Sequence, residues 1–451
     1  MTTTPPDESA GLPRDLGDGL TLRWATAADT EALGEYNVRH LSDHWSDQPA
    51  EPNEVVRGWT RDLMDGTHPT TRAGDFTLVT DERAGGRIVS SLCLISQTWA
   101  YAGIPFAVGR PELVSTSPAY RRRGLVRAQF AAIHARSATR GTLVQAITGI
   151  AWYYRQFGYA MTVAHGGSRR WLPFRIPALA PDESPAYRLR PATPADIPLL
   201  GQLYAEHCRH SLVTRLRDAT EWRYELGWKG FWIVADAADR PVGYAEARPE
   251  DGGDEPEMVK TFIITELAVL PGQSLRAVAV FLGQAFQAQL VEANGTRAVP
   301  LTSLALNMGP SHPVYAALGS LLEQYHPAWA WYIRVPDLPA FLRHITPVLE
   351  QRLAASVLAG HSGTLRLNCY RTHLTLVFSA GRLTTIGPYT PTKVEDGDAH
   401  FPDQTFLHLL FGHRTLAEVN YLYPDCYADP AAAVLLGILF PPQPSNPVPL
   451  G

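Results

Sequence analysis

The stretch LVSTSPAYRRRGLVRAQFAAIHARS, residues 113–137, joins a β-branched run to a helical one through three arginines and a glycine. The first run ends at Thr116, Pro118 marks a tight connection, and from Leu125 apolar residues recur at helical spacing. A strand, a turn and a helix with Gly124 in its first turn leave backbone N–H groups without intrahelical partners, and the helix dipole favours negative charge at that end. Such a turn holds a phosphate or diphosphate. Arg121, Arg122 and Arg123 add charge, and Gly124 lets a ligand approach closely. The competing reading is a solvated basic patch or a nucleic-acid contact.

Composition favours the small anion. The 451 residues carry a net charge of −5, which does not suggest general affinity for nucleic acid. At roughly 150 residues per domain the length suggests about three domains. Apolar residues make up 45% and charged residues 18%, as in an ordinary globular protein. Cys93, Cys208, Cys369 and Cys426 lie far apart without CxxC spacing, and read as small buried hydrophobes in a reducing compartment. The polar start lacks the apolar core of a signal peptide, and disorder is expected over residues 1–20. No apolar run reaches the ~18 residues of a membrane span, so a cytoplasmic protein without membrane partners is expected.

An internal echo organises the chain. LTLRWATAADTEALGEYN begins at Leu20 and YRLRPATPADIPLLGQLYAE at Tyr187; aligning Leu22 with Leu189 matches LRxATxAD without gaps. Each copy reads as a strand then a helix, with Thr26 and Thr193 at N-cap positions and Asp29 and Asp196 placed to return the capping bond. Residues 75–96 and 230–250 both read strand, polar turn, strand. PELVSTSPAYRRRGLVRAQF has a fainter counterpart in ITELAVLPGQSLRAVAVFLGQAF, where PGQSLRAV replaces the arginines and glycine. Two copies of one α/β domain follow, one with a working anion site and one without. The expected boundaries are a first domain at 21–172, a Pro-rich linker at 173–186 and a second domain at 187–334. A third domain at 335–451 reads as α+β: PDLPAFLRHITPVLEQRLAAS as an amphipathic helix, then strands alternating at Leu365, Leu367, Leu374, Leu376 and Phe378, then FPDQTFLHLLFG as a short helix.

The arginine turn resembles the acyl-CoA signature of the GCN5-related N-acetyltransferases (GNAT fold), Q/R-x-x-G-x-G/A. Arg121 and Gly124 match it, and Val126 departs from its last position. With RRRGL, the later YYRQFGY and the domain order, the chain resembles the Eis (enhanced intracellular survival) acetyltransferase family: a GNAT domain, a degenerate GNAT domain and a sterol-carrier-protein-like domain. The resemblance implies acetyl-CoA as co-substrate and no metal. Its pantetheine arm would meet Val114, Ser115 and Thr116, and its diphosphate the N–H groups of Arg122, Arg123, Gly124, Leu125, Val126 and Arg127, with Gly149 and Ile150 nearby. It also implies a homo-oligomer, a hexamer.

Acetyl transfer to an amine needs a neutral amine, a stabilised oxyanion and a proton for the leaving thiolate. Backbone N–H groups of the strand at Val114 can serve the oxyanion. AWYYRQFGY, residues 151–159, offers two tyrosines; the family's spacing selects Tyr154 over Tyr153 as general acid, and Gln156 stands where the family has Arg. The family's base is a chain-terminal carboxylate, here Gly451, carried by the stiff Pro-rich tail. Residues 27–65 hold nine acidic residues against three arginines, so an acidic wall would draw a small-molecule or peptide amine such as an aminoglycoside, a polyamine or a lysine side chain. A solvated helix face is the other reading of those acids, and core packing that of Trp45 and Trp59. His40 and His44 stand one turn apart without a third ligand or a nearby general-base Glu, and HCRH at 207–210 is no better placed for zinc. Two other functions compete: a lipid or small-molecule binding protein working through the third domain, and a CoA-binding scaffold of low activity.

Overall fold

The computed structural model describes residues 11–41, 54–179, 182, 184–250, 261–294, 303–323 and 325–450. Its first elements are β1 (Arg14–Asp15), β2 (Leu20–Trp24), α1 (Thr30–His40), α2 (Glu54–Asp65), β3 (Phe76–Asp81), β4 (Arg87–Tyr101), β5 (Ile104–Thr116), α3 (Leu125–Thr139), β6 (Val144–Ile147) and β7 (Ala160–His165). There follow β8 (Ser168–Trp171), β9 (Tyr187–Pro191), α4 (Ile197–Cys208), β10 (Val213–Arg215), α5 (Ala219–Leu226), β11 (Phe231–Asp236), β12 (Pro241–Glu250) and β13 (Thr261–Val269). Then come α6 (Leu275–Asn294), β14 (Ser303–Leu306), α7 (Val314–Leu318), β15 (Tyr325–His326) and β16 (Trp329–Arg334). The last part holds α8 (Leu338–His344), α9 (Thr346–Ala354), β17 (Gly363–Asn368), β18 (His373–Ser379), β19 (Arg382–Pro388), β20 (Ala399–His400), α10 (Phe406–Leu410), α11 (Leu416–Leu422), β21 (Tyr427–Ala428) and α12 (Pro430–Leu439).

Two compact units emerge: Met1–Thr162 with Trp331–Pro442 and Gly451, and Val163–Ala330 with Gln443–Leu450. In the first, the sheet runs β1-β2-β3-β4-β5-β6-β16-β7, with β5 and β6 parallel. Period-two alternation along β4 sorts its side chains: Cys93 and Ile95 join Leu33, Leu63 and Phe76 beneath α1 and α2, while Leu92 and Leu94 join Phe130 and Ile133 of α3. The far end of the β4–β5 hairpin carries Tyr101 and Phe106, whose rings meet Phe341 edge-on, and Tyr101 donates to the Leu410 carbonyl at 2.8 Å. Those contacts tie the first sheet to the α+β segment, whose sheet runs β19-β18-β17-β20-β21.

The second unit repeats the layout with the sheet order β15-β8-β14-β13-β12-β11-β9 and α6 packed on it through Leu282 and Phe286. The repeat motif has a physical basis. Asp29 accepts from the Thr26 N–H at 2.8 Å and pairs with Arg23 at 2.6 Å; Asp196 does the same with Thr193 at 2.8 Å and Arg190 at 2.7 Å. Each LRxATxAD string is therefore a clamp fixing strand to helix, and Arg23 holds the Asp29 carboxyl down at about 2.

The two copies also exchange strands. β8 follows β7 in the chain yet pairs with β14 and β15, and β16 follows the second copy yet lies between β6 and β7. The chain thus leaves the first unit at Thr162, ahead of the boundary expected at 172.

Other expectations are corrected. Residues 11–20 are ordered: β1 pairs with β2, and Leu12 and Leu16 pack on the cluster of Leu20, Leu22 and Leu125. Within the Pro-rich linker Ile176 is buried against the second core. The helix expected from 337 is two, because Pro347 cannot donate and starts α9 afresh. All four cysteines are free, and Cys208 is only partly buried. No helix among the described residues is long and apolar enough to cross a membrane.

Candidate active site

β5 makes only two parallel pairs with β6, Val108 with Val144 and Gly109 with Gln145, and beyond them its β6-side edge is open. On its other side the register against β4 shifts between Ser91 and Cys93, and the bulge places Leu113 in the left-handed region at φ 50°. Buried hydroxyls pin this irregular backbone. Ser91 donates to the Leu113 carbonyl at 3.2 Å and Ser90 to the Ser115 carbonyl at 2.8 Å. With those carbonyls turned toward β4, strand alternation aims the N–H and C=O groups of Val114 and Thr116 into the open edge.

That edge leads to the N-terminus of α3. Gly124 is its N-cap, at φ 76°, and Arg122 is also left-handed at φ 62°. Alternating backbone of this kind converges successive N–H groups on one point. The first recorded bond of the helix runs from Ala128 N–H to Gly124 C=O, so the N–H groups of Leu125, Val126 and Arg127 have no intrahelical acceptor. Leu125 is buried and Val126 half-buried, while Arg121, Arg122, Arg123 and Gly124 before them are exposed. No described heavy atom lies within 4 Å of where a Gly124 Cβ would stand. Arg121 folds back, its Nε donating to the Thr116 carbonyl at 3.4 Å, while Arg123 pairs with Asp18 at 2.8 Å and Arg127 donates to Gln156 at 3.0 Å. Bare N–H groups, open space and flanking cations fit a diphosphate.

Tyr154 lies in a 3-10 turn, Tyr153–Phe157, and shares a cluster with Phe130, Tyr159 and Tyr332, against which Val114 and Val126 also pack. Three regions far apart in sequence therefore meet. The Tyr154 side chain is buried and among the described residues nothing hydrogen-bonds its hydroxyl; burial first, then the Glu112 carboxylate, push its pKa up, so it remains a neutral phenol. Tyr153 stands edge-on to it and is half-buried. Gly149 takes φ 120°, which favours glycine, and a Cβ there would stand in ordinary contact, 3.5 Å, with the Tyr154 hydroxyl. Ile150 is 45% exposed.

Glu112 is a residue the sequence reading passed over. It sits on the bulge, pairs with Arg110 at 2.5 Å, and its charge adds to the burial that raises the Tyr154 pKa. An Arg and a Glu two residues apart in a mostly apolar strand were the available signal.

The acidic wall is partly neutralised: Glu31 pairs with Arg61 at 3.1 Å, Glu54 with Arg57 at 2.8 Å, and Asp29 with Arg23. Glu35 is exposed, and Asp43, Asp47, Glu51, His44 and Trp45 lie outside the described residues. Trp59 packs against the core. His40 Nε2 sits 3.1 Å from Ser117 Oγ, and no metal-holding group of three His, Cys, Asp or Glu occurs among the described residues. Gly451 too lies outside them; the tail before it is extended and tied down, with the Pro444 carbonyl accepting from Leu212 N–H at 2.8 Å and Asn446 from Gly166 N–H at 2.9 Å.

The second copy keeps the framework and closes it. β13 pairs in parallel with β14 up to Ile264 and then opens, as β5 does. Into that opening come His207 and His312, at 3.2 and 3.1 Å from the Leu267 carbonyl. At the start of α6 the Ser274 hydroxyl accepts the Ala277 N–H at 3.2 Å, so the helix caps itself.

An open parallel edge running into a bare helix N-terminus can hold an extended ligand that ends in an anionic group. Residues 37–162 match the family described as an acetyltransferase (GNAT) domain, so the chain carries that domain and is an acyl- or acetyltransferase. Its fold is shared with a conserved protein from Enterococcus faecalis described as a probable N-acyltransferase (TM-score 0.69, 14% identity, 95% of this chain and 99% of that one). A GCN5-related N-acetyltransferase from Anabaena variabilis (0.65, 13%, 95% and 99%) and Eis1 from Mycobacterium abscessus (0.61, 15%, 94% and 98%) have it too. At these identities the likeness attests the fold. No curated protein matches the sequence.

Proposed function

We propose that the protein moves the acetyl group of acetyl-CoA to a primary amine of a cationic acceptor, an aminoglycoside, a polyamine or a lysine side chain, by direct attack. The single observation that carries this reading is that β5 parts from β6 after Gly109 and runs on towards the α3 N-terminus, with Val114 packed on the cluster holding Tyr154. The diphosphate rests on the N–H groups of residues 122–127 and the pantetheine arm follows Val114, Ser115 and Thr116. A neutral amine forms the new C–N bond at the thioester carbon, while the Val114 N–H steadies the oxyanion. As the C–S bond breaks, the Tyr154 phenol gives its proton to the thiolate.

The excess amine proton needs a base, and the resemblance assigns it to the Gly451 carboxylate. An α-carboxyl near its ordinary pKa of about 3.5 is a weak base for an ammonium, so this role requires burial to raise it. Glu112 is less free for the task because Arg110 holds it. The α+β segment as a sterol-carrier-like domain and a hexameric assembly belong to the same proposal and rest on the family resemblance, while a cytoplasmic location rests on the sequence composition.

The test is thiol release from acetyl-CoA across a panel of amines, paired with calorimetric binding of acetyl-CoA. Turnover with polycations but not with neutral amines is expected. Tight binding of acetyl-CoA with no turnover for any amine would favour a CoA-binding scaffold instead.

A further inference from the structure

The loop that carries Tyr154 into place is conformationally demanding. Between the end of β6 at Ile147 and Tyr153, Gly149 takes φ 120° and Trp152 takes φ 67°. A bulky residue in the left-handed region is disfavoured and persists only where its surroundings hold it. The Trp152 indole does not supply that hold, since it is 72% exposed with Arg155 lying over it at 3.9 Å. The backbone does: Trp152 N–H donates to the Tyr332 hydroxyl at 2.5 Å.

Tyr332 is fully buried, sits on β16 opposite Ile147, and presents its ring edge-on to Tyr154 at 5.5 Å between centroids. It therefore touches the loop twice, through its hydroxyl at Trp152 and through its ring at Tyr154. Because no described group hydrogen-bonds the Tyr154 hydroxyl, the aim of that side chain depends on ring packing and on the loop backbone alone.

We propose that Tyr332, reaching Tyr154 from a strand that follows the second copy, is a positioning residue for the acid: its hydroxyl locks the Trp152 backbone and so fixes where the Tyr154 phenol points. The proposal rests on the reading of Tyr154 as acid. Tyr332→Phe keeps the ring that fills the core and removes only the acceptor. The expected result is a loss in kcat of roughly ten- to a hundredfold, the scale of a small misplacement of a reacting group. The KM and calorimetric affinity for acetyl-CoA stay as they were, and the Trp152 amide exchanges its hydrogen faster.

In a Tyr154→Phe background the second substitution should cost nothing further, because a mispositioned acid and an absent one are equivalent. Unchanged kcat in Tyr332→Phe, or a loss that multiplies with that of Tyr154→Phe, would overturn the positioning role. So would an equal fall in acetyl-CoA affinity. Unchanged turnover in Tyr154→Phe alone would instead remove the acid assignment underneath it, and the two failures are told apart by that single variant.

Discussion

Replacing Gly124 with alanine separates the anion site from the helix that carries it. At φ 76° an L-residue is strained by about 1–2 kcal/mol, and with no described atom within 4 Å of the new Cβ there is no clash to add. The methyl does, however, stand at the cap where the proposed function seats the diphosphate. Displacing one charge-assisted bond loses about 1.5–3 kcal/mol, or roughly 10- to 150-fold in the dissociation constant of CoA. Gly141 is the control. It lies just past the other end of α3, at φ 68°, also with open space around its would-be Cβ. Thermal melts should show Gly124→Ala and Gly141→Ala destabilised alike, while titration calorimetry with CoA should show weakening in the first alone. If Gly124→Ala bound CoA as Gly141→Ala does, the diphosphate cradle would be elsewhere.

Tyr154→Phe should lower kcat by about a hundredfold or more in the thiol-release assay with little change in stability, because the hydroxyl makes no recorded hydrogen bond to lose. Burial holds His134 down at about 3 from its ordinary 6.5, beside the Tyr159 hydroxyl at 2.9 Å. The unfolded chain then binds the extra proton first, so stability falls as pH drops from about 6.5 towards 3. His134→Gln should flatten that slope by one proton in urea melts across this range. In the second unit Glu225 sits fully buried among Arg215 at 2.6 Å, Arg217 at 3.0 Å and Lys229 at 2.5 Å, and these cations hold it ionised against its burial. Glu225→Gln takes the paired carboxylate from Arg215 and Lys229, while Arg217 keeps Glu266, and should cost about 3–5 kcal/mol in denaturant melts. Deleting Leu450 and Gly451 should lower kcat if the tail supplies the base, and undiminished turnover would take the tail out of the chemistry.

The local part of this architecture was readable in advance. The strand, turn and helix around Gly124 needed only a strand end, a glycine and a helix start, all within the span from Thr116 to Leu125. The alternation that buries Leu365, Leu367, Leu374, Leu376 and Phe378 needed only a period of two. The Thr-Asp caps were visible too, although Arg23 and Arg190, which complete each clamp, were not, because an ion pair across a strand-to-helix turn leaves no periodic trace. Long-range facts stayed hidden for the same reason. Nothing local in WAWYIR distinguishes a strand of one sheet from a strand of another, so the placement of Tyr332 beside Tyr154 could not be anticipated. His207, one of the two histidines that close the second groove, looked like part of a weak zinc motif because spacing alone cannot say that it reaches the Leu267 carbonyl.

The exchange of β8 and β16 has a consequence for how the protein is made. Sheet order places β16 between β6 and β7, so the first copy cannot complete its sheet until residue 334 has left the ribosome. Until then the emerging catalytic domain waits with an unfilled gap between two strands, an edge prone to pairing with a neighbouring nascent chain. A fragment cut at the Pro-rich stretch would inherit that gap permanently and carry β8 without its partners. Active enzyme should therefore be obtained from the continuous chain, or from two pieces expressed together, and not from the first copy alone.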